Sequence, residues 1–263
     1  MTAHGTSFTA AIVRPPADSF ANGLTTAGLG APDLSLALAQ HAAYCAALEL
    51  LGIRVTALPP DAAHPDSTFV EDTAVVTAHG AIVARPGAPS RAGEVTTIRR
   101  ALEARFGTVA AITAPGTVDG GDICQAGTSF FIGLSNRTNQ AGAGQLARWL
   151  GRAGYSSCVI DIRGNDTLLH LKSGIAWVGG GDLVVAEALV DHPALAGYRR
   201  IVVPTDETYA SNCVRVNDAV LLAAGFPAVV ADVAALGHRV VTLDMSEFRK
   251  MDGGLSCLSL RVP

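Results

Sequence analysis

The chain has 263 residues, 49% of them hydrophobic and 16% charged, so it can bury about three-quarters of the surface its unfolded form would expose. A net charge of -4 at neutral pH argues against nucleic acid, which needs a concentrated basic surface, and fits a small cationic molecule better. The charge-free stretches 34–48 and 123–136 fall short of the roughly 18–20 apolar residues of a membrane span, so no membrane helix is expected.

The first 13 residues contain neither Lys nor Arg and no long apolar run, so they do not read as a secretory leader, and a cytoplasmic location is expected. Five cysteines, at 45, 124, 158, 213 and 257, include no C-x-x-C pair. They imply neither a disulfide framework nor a zinc finger, which leaves any cysteine chemistry to one thiol. No low-complexity or charged stretch separates two halves, so residues 1–263 are expected to form a single domain.

Along the chain, a helical pattern at 34–51 ends at Gly52 and is followed by a β-branched segment at 53–58. Apolar runs at 68–76 and 81–84 flank Gly80, then come a helix at 90–106, Gly107 and a strand at 109–113. The same order recurs as runs 122–126 and 130–134 around Gly127, a helix at 138–153 and a strand at 157–162. A fourth strand at 200–204 follows the weakest helical pattern, near 183–196, and a helix at 228–237 precedes a fifth strand at 239–243. Strand, turn, strand, helix, strand repeated in this way predicts an α/β fold of five ββαβ blades about a common axis. A three-layer α/β sheet is the alternative. In the radial arrangement the polar loops after the five strands converge on one pocket.

Those loops carry the candidate chemistry. Cys257 follows Gly253-Gly254 where a loop enters the last strand. It is either an inert buried thiol or a nucleophile that the glycines let a ligand approach. His170 is one polar ring in an apolar run, either a satisfied core histidine or an acid/base group. Glu71 and Asp72 open the run Thr73-Ala74-Val75-Val76, where strand alternation sends them to opposite faces. They are either a solvated strand entrance or carboxylates matched to the paired N–H groups of a guanidinium. Asp119-Gly120-Gly121-Asp122 reads as a tight turn without the spacing of a calcium loop, and Asp119 across from His170 would orient the imidazole. Arg91 and Arg137, at loop-to-helix junctions, are surface residues or a clamp for a carboxylate. The nucleophile-elbow, phosphate-loop and zinc-protease motifs are missing from the sequence.

Six ordered motifs resemble the dimethylarginine dimethylaminohydrolases, within the guanidine-modifying enzymes. They are His64 through Asp72, Asp119 through Asp122, Gly133 through Gln140, Leu169 through Ser173, Asn212 through Asn217 and Leu255-Ser256-Cys257. The resemblance spans nearly the whole chain and implies the same five-bladed propeller. It implies Cys257 as nucleophile, His170 as proton shuttle and Asp119 as the group holding the histidine. It assigns Glu71 and Asp72 to the substrate guanidinium, Asp66 to the α-amino end, and Arg91 and Arg137 to the α-carboxylate. Phe69 and Met251 join the substrate contacts, and the loop near 18–33 resembles the family's lid, with Phe20 where a leucine is usual. The implied substrate is a methylated arginine, with neither metal nor organic cofactor and a monomer or homodimer as the assembly. The competing readings are an arginine deiminase or amidinotransferase of the same superfamily, and a propeller that only binds, like the ribosomal anti-association factor.

Overall fold

In the computed structural model, which describes residues 7–263, the strands form five separate three-stranded sheets. The first is built from both chain ends: β1 (Ala10–Val13) leads through helix α1 (Leu34–Leu50) to β2 (Arg54–Ala57) and pairs on its other side with β15 (Leu260–Val262). The second comprises β3 (Ala74–Thr77), β4 (Gly80–Val83), α2 (Val95–Phe106) and β5 (Ala110–Ala111), and the third β6 (Ile123–Ala126), β7 (Ser129–Leu134), α3 (Gln140–Arg152) and β8 (Ser156–Asp161). β9 (Ile175–Gly179), β10 (Asp182–Ala186) and β11 (Arg199–Val203) form the fourth. β12 (Val214–Val216), β13 (Ala219–Ala223), α4 (Pro227–Ala235) and β14 (Arg239–Leu243) form the fifth. In every sheet the middle strand (β1, β4, β7, β10 or β13) is antiparallel to an inner strand (β15, β3, β6, β9 or β12) on one side and parallel to an outer strand on the other.

Burial follows strand position. The middle strands β1, β10 and β13 are buried at every residue, whereas the outer strands β2 and β8 are mostly exposed. Each inner strand leaves a single residue half-buried: Val76, Gln125, Trp177, Arg215 and Arg261. All five line one cavity, so the inner strands surround a common axis as the propeller requires.

Local chemistry sets the helix ends. The Asp33 carboxylate accepts from the Leu36 amide at 2.9 Å to start α1, and Asn139 accepts from Gly142 at 2.8 Å to start α3. Gly107 closes α2 in a left-handed conformation, φ 75°, that residues with a Cβ rarely adopt.

Two expectations change. The weak helix near 183–196 is not an α-helix: its β-branched start pairs as β10, and 3-10 turns at Glu187–Leu189 and Pro193–Leu195 make the crossover. The helix expected from 90 begins at Val95, because Pro89–Arg91 forms a separate 3-10 turn and Gly93 follows. A further regularity has no counterpart in the sequence reading. A 3-10 turn precedes every inner strand, at Val70–Thr73, Gly120–Asp122, Leu171–Ser173, Thr205–Ser211 and Ser256–Leu258. These five turns ring one end of the axis. No helix among the described residues is long and apolar enough to cross a membrane.

Candidate active site

The ring of turns gathers the polar residues. Val70–Thr73 and Gly120–Asp122 approach closely within it, which explains both glycines of the Asp-Gly-Gly-Asp turn. A Cβ on Gly120 would lie 2.0 Å from the Glu71 carbonyl oxygen, and one on Gly121 would lie 2.8 Å from both Asp72 Oδ1 and the His170 ring. Without side chains there, the Gly121 amide reaches Asp72 Oδ1 at 2.8 Å.

A small cleft opens over this end of the axis, lined by Asp66, Phe69, Asp72, Arg91, Arg137, His170, Met251 and Cys257 together with Leu24, Leu169, Asp252 and Gly253. Cys257 sits in the Ser256–Leu258 turn, its sulfur accepting from the Gly254 amide at 3.4 Å. His170 caps the Leu171–Ser173 turn, and its Nε2 lies 3.1 Å from Oδ2 of the fully buried Asp119. The Gly87 amide holds the other Asp119 oxygen at 2.8 Å. Asp122 steadies the same histidine from below, accepting from the Leu171 amide at 3.0 Å and the Ser135 hydroxyl at 2.7 Å.

The electrostatics are those of a site awaiting a cation. Burial, then the charges of Glu71 and Asp72, push the Cys257 thiol up to about 12. Burial disfavours the charged imidazole, but Asp72, Asp122 and Asp119 outweigh it and raise His170 to about 9. Asp72 itself is held at about 2 despite its burial, by His170 and by Arg91, whose Nη1 lies 2.5 Å away. At neutral pH the pair is therefore a protonated thiol beside an imidazolium. Donor atoms of Asp72, Asp119 and His170 lie within 4.8 Å of one another, spacing that a metal ion would also accept.

Glu71 and Asp72 do point to opposite sides, although they lie in a 3-10 turn and not in a strand. Asp72 faces the cleft. Glu71 faces the axial cavity beneath it, ion-paired with Lys172 at 2.5 Å and Arg261 at 2.7 Å and accepting from Ser256 Oγ at 2.7 Å. Its carboxylate is thus committed within the protein, one turn removed from the cleft wall. The Arg91 guanidinium is likewise occupied by Asp72, Glu94 and the Asp66 and Phe69 carbonyls, whereas Arg137 makes no ion pair among the described residues. Phe20 does not line the cleft: it is buried in an aromatic cluster with Phe69 and Phe248, and Leu24 is the leucine of the lid that reaches the cleft. The apolar Phe20 side chain gains more from that core than from a solvated rim.

Sequence reasoning passed over Leu24, Glu94 and Lys172. Lys172 stood inside the Leu-His-Leu-Lys-Ser motif, but nothing local announces its pairing with Glu71. Leu24 remains an exposed leucine in the folded chain, and only its amide, donating to Asp66 Oδ1 at 3.0 Å, ties it to the site.

This arrangement has close counterparts. The family model for arginine deiminase matches residues 62–207, which hold Asp72, Asp119 and His170. An N(G),N(G)-dimethylarginine dimethylaminohydrolase of Pseudomonas aeruginosa is 44% identical, over 95% of this chain and 98% of its own length. One from Streptomyces coelicolor is 35% identical over 96% of each chain. The solved structure of a cysteine-to-serine mutant of the Pseudomonas aeruginosa enzyme, complexed with citrulline, superposes with a TM-score of 0.94 at 43% identity, covering 97% of this chain and all of that one. The chain belongs to the dimethylarginine dimethylaminohydrolase family.

Proposed function

We propose that this chain hydrolyses asymmetric Nω,Nω-dimethyl-L-arginine, and the Nω-monomethyl compound, to L-citrulline and the corresponding amine. The observation that carries the reading is the convergence of the Cys257 thiol, the His170 imidazole and the Asp72 carboxylate on a single small cleft. The whole chain acts as one catalytic domain, and the lack of an apolar spanning helix among the described residues agrees with work in the cytoplasm.

Each residue has a chemical task. The guanidinium carbon is a weak electrophile because its charge is shared by three nitrogens, so it needs a thiolate. Asp72 receives the N–H groups of the unmethylated side, and the arriving cation lowers the cost of ionising Cys257 in the same cleft, whose proton passes to solvent because His170 already carries one. The thiolate adds to the guanidinium carbon to give a tetrahedral centre. His170 donates its proton to the dimethylated nitrogen, the C–N bond breaks, and dimethylamine leaves an S-alkylthiouronium on Cys257. The now neutral His170 takes a proton from water, hydroxide adds to the same carbon, and collapse expels the thiolate and frees citrulline. Asp119 keeps the imidazole oriented through both transfers. Asp66 suits the α-amino group and Arg137 the α-carboxylate, with Arg91 as a structural cation behind Asp72.

Rapid mixing with dimethylarginine, acid quench and mass spectrometry of the digested protein test the covalent step. The adduct is expected on the peptide containing Cys257; His170→Gly, which lacks both the acid for the leaving amine and the base for hydrolysis, is expected to show either the adduct or unmodified enzyme and no rapid turnover. An adduct on Cys45, Cys124, Cys158 or Cys213, or turnover by Cys257→Ala, would remove Cys257 from the reaction.

A further inference from the structure

The lid makes a set of contacts that the reaction itself does not use. Beyond the Leu24 amide on Asp66, Thr25 Oγ1 donates to the Lys250 carbonyl at 2.7 Å. The Thr26 amide and hydroxyl both donate to Asp252 Oδ2, at 2.6 and 3.0 Å. At the far end of the loop the Asp33 amide donates to Glu247 Oε2 at 2.6 Å. Every one of these acceptors except Asp66 lies between 247 and 252, the segment that runs through Gly253 and Gly254 into Cys257.

Asp252 is unusual in its backbone. Its φ is 57°, in the left-handed region that favours glycine, and two glycines follow it immediately. Aspartate tolerates that region better than most residues, but glycine would sit there with less strain. The residue present nevertheless carries a carboxylate, and that carboxylate collects two donors from the lid. Its side chain also lines both the cleft and the wider groove beside it.

We propose that Asp252 is a positioning residue that latches Thr26 and so couples closure of the 24–31 lid to the loop carrying Cys257. With the latch made, Gly23 lies against Asp66 and Met251, the Leu24 amide stays on Asp66, and the cleft is shut around the substrate. With it broken, Thr26 is released, and Gly28 and Gly30, both with positive φ, give the remaining lid its freedom to swing. This inference rests on the proposed reaction only in placing the substrate beneath Leu24.

Three variants read it. Asp252→Gly relaxes the backbone and deletes the carboxylate, Asp252→Asn keeps an acceptor oxygen and tolerance for positive φ, and Thr26→Val removes one donor from the other side. In ligand-free protein, hydrogen exchange of the 24–27 amides is expected to quicken about tenfold or more in Asp252→Gly, as two bonds to a carboxylate are lost. With dimethylarginine, KM rises about tenfold while kcat stays within about twofold, because lost closure weakens binding more than it alters the reacting atoms. Asp252→Asn restores KM to within about threefold, and Thr26→Val adds nothing once the carboxylate is gone. Unchanged exchange in Asp252→Gly overturns the latch, as does a fall in kcat at constant KM or failure of Asn to rescue. The exchange experiment needs no turnover, so it decides the latch even if dimethylarginine is not the substrate.

Discussion

His170 holds its proton well past neutrality because three carboxylates surround it, and as the acid of the proposed reaction it would set an alkaline limit. The acid that protonates the leaving amine is lost as pH rises through about 9, the value to which Asp72, Asp122 and Asp119 lift the imidazole against burial. Removing one of those anions must lower that value. In Asp119→Asn the falling limb of kcat against pH is therefore expected to move toward neutrality, measured by amine release in a constant-ionic-strength buffer series. A limb that stays in place would mean that another group sets it. The same shift has a stability sign. A histidine raised from 6.5 contributes stability that is complete below the unfolded value and is lost as pH rises through about 9. At this scale the sequence was informative about residue types and silent about partners. Motifs name Cys257, His170 and Asp119, but the pairing of Glu71 with Lys172 and Arg261 is not legible because those partners are distant in the chain. The same holds for Phe20, a lid residue in the sequence. Its burial depends on Phe69 and Phe248, and a single local segment does not carry that information.

The elements that position the site are the short 3-10 turns before each inner strand, and these were the least legible part of the sequence. Such turns are too brief to carry a hydrophobic period, and they merge with the strands that follow. Helices α2 and α3 were legible because their apolar faces repeat over several turns, and α1 and α4 because they are rich in alanine, although α2 starts later than its pattern suggested. Close approach between turns makes their glycines structural. A Cβ on Gly253 would lie 2.1 Å from the Phe69 ring, and Phe69 cannot retreat freely because it packs against Phe20 and Phe248. Gly253→Ala is expected to destabilise the fold by about 1–3 kcal/mol, the usual cost of overpacking a filled core. The midpoint of urea unfolding measures it, and a midpoint equal to that of the native protein would mean that the Phe69 cluster is looser than its contacts imply.

At the scale of the molecule, the five-blade order was visible as a repeated succession of strand, turn, strand and helix, whereas the closure was not. β15 pairs with β1, so the last strand completes the first sheet and places Arg261 beside Glu71. That closure brings Cys257, near the end of the chain, to Asp72 and His170, in the turns that lead into the second and fourth sheets. Of the carboxylates that line the cleft, Asp66, Asp72 and Asp252, the proposed reaction gives the guanidinium to Asp72, and the expected substrate preference follows from that. A nitrogen with two methyl groups has no N–H for Asp72 and belongs at His170, where it needs a proton. Symmetric dimethylarginine would put a methyl group against the carboxylate, leaving a buried acceptor unpaired at about 1–3 kcal/mol. Citrulline and amine release from asymmetric dimethylarginine, symmetric dimethylarginine and arginine at equal concentration is the most direct test. The expected result is citrulline with dimethylamine from the asymmetric compound, and kcat/KM lower by about ten- to a hundredfold for the symmetric one. Arginine as the better substrate, with ammonia as the main product, would contradict the account.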